Sequence, residues 1–155
     1  MSAPADEGAF PAPGPDAMAP PGEAAIDLGT RHQFHGVQPV LPVADVTRAA
    51  RYFRDVLGFE IDFIAGEPPS YARVVKGAGR THGDPVYIRL WQCRHPGASA
   101  WKGEIVIHVG KDVDGLHSAY VSRGVSVVEA PTSQPWGLRE FAIREPDGHL
   151  LRFCG

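Results

Sequence analysis

The chain repeats itself. Val40–Phe63, VLPVADVTRAARYFRDVLGFEIDF, is echoed at one constant offset by Val106–Glu129, VIHVGKDVDGLHSAYVSRGVSVVE. Val43 to Gly58 and Val109 to Gly124 are equally spaced, so a gap-free alignment carries one copy onto the other. Each copy reads as strand, helix, strand, and two such units side by side make a pseudo-twofold domain. A position that matters in one half therefore has a partner to inspect in the other.

Apolar periodicity places the elements. In the first half, strands are expected at Val37–Val43, Phe59–Ile64, Tyr71–Val75 and Val86–Gln92. Asp45 is a good N-cap for a helix over Val46–Leu57, where Val46, Ala49, Ala50, Phe53, Val56 and Leu57 form one stripe and Gly58 stops the helix. The second half repeats the order, with strands at Glu104–Val109, Val125–Glu129, Leu138–Arg144 and Leu150–Cys154 and a helix from about Asp114 to Arg123. A loop is expected over Pro131–Pro135, and Glu145-Pro146-Asp147-Gly148 reads as a hairpin turn. Eight strands and two one-sided helices imply an α+β fold: paired βαβββ modules, about 36–95 and 103–155, forming a curved mixed sheet whose outer face the helices cover.

Composition bounds the rest. Residues 1 to 30 hold six Pro, eight Ala, four Gly and five acids without a Lys or Arg. Such a stretch buries too little apolar surface to offset its ordering entropy, so residues 1–33 are expected to be a disordered tail before a single domain over 34–155. The tail lacks the basic start of a secretion signal, and no apolar run is long enough for a membrane span. The whole chain has a net charge of −3, and with no basic stripe interleaved with aromatics it does not point to nucleic acid. Cys93 and Cys154, without CxxC spacing, suit a reducing cytoplasm and read as small buried hydrophobes.

Pro42-Val43-Ala44-Asp45-Val46, Arg54-Asp55-Val56-Leu57-Gly58-Phe59 and the run from Pro135-Trp136-Gly137 through Pro146-Asp147-Gly148 resemble the vicinal oxygen chelate superfamily of glyoxalases, bleomycin-resistance proteins and extradiol dioxygenases. The likeness covers roughly residues 36 to 155. It implies paired modules around an open cavity, often in a homodimer. It also implies four places at which the family's metal enzymes hold a divalent ion, and these fall on Gln38, Arg89, Glu104 and Arg152. The repeat supports that register, because Gln38 and Glu104 are separated by the same offset as Val43 and Val109.

A guanidinium is always protonated and only donates, so Arg at two of the four places argues against a metal. His108 shares a strand face with Glu104 but stands four residues on, roughly 13 Å at strand rise, too far for one ion. The expectation is thus a metal-free, cofactor-free binding protein, closest to the bleomycin-resistance type, that sequesters a polar or anionic small molecule. Alternation puts Tyr87, Arg89 and Trp91 on one face, so the candidate ligand-binding set is Gln38, Tyr87, Arg89, Trp91, Glu104, His108, Trp136 and Arg152. No catalytic residue is assigned.

Rival readings remain open. Arg89, Glu104 and Arg152 could form a structural ion-pair network, and Tyr87 and Trp91 could serve dimer packing. The chain could also be a metal-dependent glyoxalase-like or dioxygenase-like enzyme, one using Glu104 or His108 as a base, or a dimerisation module without a ligand. Bleomycin itself is cationic and suits an acidic cleft, so two guanidiniums favour an anionic or zwitterionic ligand. His32, His35, His82 and His95 carry no evident mechanism, and His117 is expected to be solvated on its helix.

Overall fold

The computed structural model describes residues 37–77, 85–94 and 104–155. The Pro/Ala-rich tail and His32, His35, His82 and His95 lie outside them.

The first module comprises β1 (Val40–Val43), α1 (Val46–Asp55), β2 (Glu60–Ala65), β3 (Tyr71–Lys76) and β4 (Val86–Gln92). The second comprises β5 (Glu104–His108), α2 (Val113–Ser122), β6 (Ser126–Ser133), β7 (Arg139–Arg144) and β8 (Leu150–Cys154). Each module makes one four-stranded mixed sheet, ordered β1-β4-β3-β2 and β5-β8-β7-β6, with the first pair of each parallel. The repeat read from the sequence is thus a repeat of βαβββ topology.

Local chemistry sets the helix ends. Asp45 accepts from the Arg48 amide at 2.8 Å and Asp112 from the Gly115 amide at 3.0 Å, each satisfying an N–H the helix cannot. After the helices the chain reverses at Gly58 and Gly124, equivalent positions of the repeat, with φ of 77° and 75°. A side chain there would be strained.

Several boundaries differ from expectation. Pro39 lacks an N–H, so β1 begins only at Val40, although the Pro39 carbonyl still accepts from Arg89 N. α1 ends at Asp55 rather than Leu57, and α2 begins one residue before Asp114. Of the loop expected over Pro131–Pro135, the first three residues are instead the end of β6, which runs to Ser133. β6 tolerates Pro131 because it is an edge strand whose register slips twice, between Val127 and Glu129 and between Glu129 and Thr132.

The apolar faces of both modules merge into one core, in which Leu41, Phe53, Leu57, Ile88, Leu90, Phe141, Ile143, Leu151 and Phe153 are buried. Burying each such side chain contributes about 1.5–3 kcal/mol. Polar clasps then register one module on the other. Tyr120 Oη donates to Leu57 O and Arg123 Nη1 to Val56 O, both at 3.0 Å. At the opposite end the Ala44 amide donates to Asp147 Oδ1 at 2.9 Å, and His149 Nε2 lies 2.8 Å from Pro42 O. A carbonyl only accepts, so His149 Nε2 carries the proton.

Candidate functional site

Strand alternation divides each sheet into an apolar face turned to the core and a polar face turned away. On β4, Ile88 and Leu90 are fully buried, while Tyr87 and Arg89 are half-buried on the other side and Trp91 is 49% exposed. On β5, Glu104 and His108 share the polar face and Ile107 enters the core.

The four corner residues come together in pairs. Arg89 Nε donates to Gln38 Oε1 at 2.7 Å, and Arg152 Nε donates to Glu104 Oε2 at 2.8 Å. Strand register shows these to be equivalent contacts, since Val40 pairs with Arg89 in one sheet and Val106 with Arg152 in the other. The duplication therefore holds at side-chain level. Among the described residues, no hydrogen bond or ion pair joins one pair to the other; each belongs to its own sheet.

The surroundings of the two guanidiniums are opposite. Arg152, with a side chain 14% exposed, also makes a two-pronged contact with Glu129 at 2.8 and 3.1 Å and lies 3.6 Å from Glu140. Three carboxylates thus enclose one cation. The Arg152 hydrogen bonds hold the Glu129 carboxyl below its usual range, and the contacts with Glu129 and Glu104 raise the Arg152 pKa above its ordinary value. Glu140, itself buried, accepts from Trp136 Nε1 at 2.9 Å, which pins the half-exposed indole over this face.

Following the ladder Phe63, Arg73, Arg89 in the first sheet and Glu129, Ala142, Arg152 in the second aligns Phe63 with Glu129 and Tyr71 with Glu140. Gln, Phe and Tyr in the first module thus stand where the second has three Glu. Arg89 hydrogen-bonds to Gln38 and lies 6.0 Å from the centre of the Tyr71 ring. No carboxylate pairs with it among the described residues. Beside it Arg73 is bound to Asp62 at 2.6 Å and lies over the rings of Tyr87 (4.9 Å) and Phe63 (5.2 Å). Phe63 and Tyr71 stack at 6.4 Å and 19°. This face is aromatic and cationic, whereas its counterpart is acidic.

Some expectations change. The ion-pair network exists, but it comprises Arg152, Glu104, Glu129 and Glu140 and leaves Arg89 out. His117 is half-buried, edge-on to Phe141 at 5.3 Å, because α2 rotates it toward the core rather than into solvent. His108 Nδ1 lies 3.4 Å from Cys154 Sγ. That thiol is fully buried, and burial followed by Glu140 pushes its pKa up, so it stays protonated and is a poor nucleophile. Sequence reading missed Arg73, Glu129 and Glu140. Glu129 was within reach, since the constant offset of the repeat carries Phe63 directly onto it.

The donor set at the four corners does not suit a divalent cation. Two corners are guanidiniums, and Gln38 Oε1 and one of the two Glu104 carboxylate oxygens, Oε2, already accept from them.

Comparison with known proteins agrees with the topology. Residues 34–153 match the family model described as Glyoxalase/Bleomycin resistance protein/Dioxygenase superfamily. The bleomycin-binding protein of Streptomyces verticillus, solved with copper(II)-bleomycin, is 30% identical, with a TM-score of 0.60 over 79% of this chain and 96% of that one. A glyoxalase-related enzyme from Clostridium phytofermentans is 23% identical, with a TM-score of 0.65 over 81% and 98%. The bleomycin resistance determinant encoded on transposon Tn5 is 21% identical, with a TM-score of 0.62 over 78% and 97%. No curated protein matches the sequence.

Proposed function

Because the chain belongs to the Glyoxalase/Bleomycin resistance protein/Dioxygenase superfamily, we propose that it is a binding protein that sequesters a planar, anionic small molecule without a metal and without breaking a bond. One observation carries this reading: the half-buried Arg89 faces Gln38 and Tyr71 where the equivalent Arg152 faces three Glu. No hydrogen bond engages its Nη groups among the described residues, and they suit a two-pronged contact with a carboxylate, sulfonate or phosphonate. Phe63, Tyr71, Tyr87 and Trp91 supply flat apolar surface beside it. The likeness to a bleomycin-binding protein supports sequestration as the mode of action. The charge of the first face points away from the cationic drug itself.

Each polar face is open, with Trp91 and Trp136 both 49% exposed. A second copy, presenting its acidic module to the cationic module of the first, would close the cup, and we place the protein in the cytoplasm as such a homodimer. Among the described residues no helix is long and apolar enough to cross a membrane.

The test is thermal melting of metal-stripped protein against planar anions and matched cations. Stabilisation by an anion, lost in Arg89→Ala and indifferent to EDTA, supports the reading. Stabilisation that requires an added divalent metal refutes it.

A further inference from the structure

A cleft of about 350 Å³ opens between the two modules, with His108 from the polar face of β5 among its lining residues. Its apolar walls are the core residues Phe59, Ile107, Tyr120 and Phe153 and the partly buried Val86 and Leu116 that pack against them. The volume lies in the range of small-molecule sites, and an apolar lining with a few polar groups is the usual composition of such sites. The Tyr120 hydroxyl is consumed by Leu57 O, so the ring presents carbon to the cleft.

Among the described residues the lining carries one formal charge of each sign, Lys76 and Asp112, beside His108. Lys76 donates to Gly58 O, and an ammonium has two further protons to offer. Asp112 is held as the N-cap of α2, accepting from Gly115 N. Opposed charges at one mouth favour a ligand without net charge, and the spare Lys76 donors favour one with an acceptor oxygen or nitrogen.

We infer that this inter-module cleft is a second binding site, for an uncharged, largely apolar ring compound with one hydrogen-bond acceptor. Its walls come from both modules, so the ligand bridges them and raises the melting temperature of the domain. It shares His108 with the candidate ligand-binding set but none of the residues around Arg89, so this inference and the Arg89 reading are tested separately.

The probe is 6-propionyl-2-(dimethylamino)naphthalene, an uncharged two-ring fluorophore whose ketone oxygen is the acceptor, titrated into the full chain with methyl groups observed by NMR. Saturable binding at one per chain is expected, shifting the methyls of Val86, Ile107 and Leu116. Those of Val40 and Val106, which are exposed on the polar faces, stay in place. Leu116→Trp, which fills the cleft, is expected to reduce affinity at least tenfold while Arg89→Ala leaves it unchanged. Shifts centred on Val40 or Val106, the absence of saturable shifts, or undiminished binding by folded Leu116→Trp would overturn the inference. The methyl pattern of the unsubstituted protein decides the matter even if that variant fails to fold.

Discussion

Arg89 donates its Nε proton to Gln38 across 2.7 Å in the same register in which Arg152 donates to Glu104 across 2.8 Å. The backbone is duplicated and so is the hydrogen bond, but one acceptor is neutral and the other charged. From that difference, extended by Phe63 against Glu129 and Tyr71 against Glu140, follow two faces of opposite character on one fold.

Arg152 is predicted to matter for stability and Arg89 for binding. Arg152→Ala leaves Glu104, Glu129 and Glu140 facing one another and is expected to cost about 1–3 kcal/mol at neutral pH, read by urea unfolding. Arg89→Ala, which strands no carboxylate among the described residues, is expected to cost under about 1 kcal/mol. The Arg152 effect depends on pH. Because the Glu129 pKa is depressed in the folded state, its contribution is complete above the ordinary carboxylate range and vanishes as pH falls through the folded value. Equal losses for the two variants would contradict this assignment.

Glu145 predicts the opposite slope. It is 2% exposed, and burial raises its carboxyl pKa, so between the unfolded and folded values the folded chain holds the extra proton and stability falls as pH rises. His149, Asp147 and Tyr52 are the ionisable groups that face it. Glu145→Gln keeps an oxygen for the His149 amide, which Glu145 Oε1 accepts at 2.8 Å, and cannot ionise. The variant is expected to be at least as stable at neutral pH and to lose that decline, as measured by melting between pH 4 and 8 (about the range of carboxyl and imidazole titration).

Tyr120→Phe probes the joint between the modules. Burial pushes the Tyr120 hydroxyl pKa up to about 12, and its proton goes to Leu57 O at 3.0 Å. Removing it strands a buried carbonyl and is expected to cost about 1–3 kcal/mol with little change in the secondary-structure spectrum.

Most of the fold was legible because the repeat, the Asp caps and the glycines after the helices are local signals. Pro131 reads locally as a loop residue, yet a register slip in the edge strand β6 accommodates it and nothing local announces that slip. At the site, the fixed offset linked Gln38 to Glu104 and could have linked Phe63 to Glu129. It could not link Tyr71 to Glu140, because the intervening loops differ in length and strand pairing is needed to restore the match, whereas Arg89 and Arg152 correspond through their places in the last strand of each module. That no described carboxylate pairs with Arg89 is a three-dimensional fact, set by which side chains the ladder brings beside it.

The most direct test converts one module's chemistry into the other's. Gln38→Glu places beside Arg89 the carboxylate that Arg152 already has, leaving the fold and the aromatic surface intact. Melting shifts of metal-stripped wild-type and Gln38→Glu protein with the same planar anions are the measurement. The account predicts stabilisation of the wild type by at least one anion and a loss of at least half of that shift in the variant. An equal shift in both proteins, or stabilisation of the wild type by cations alone, would contradict it.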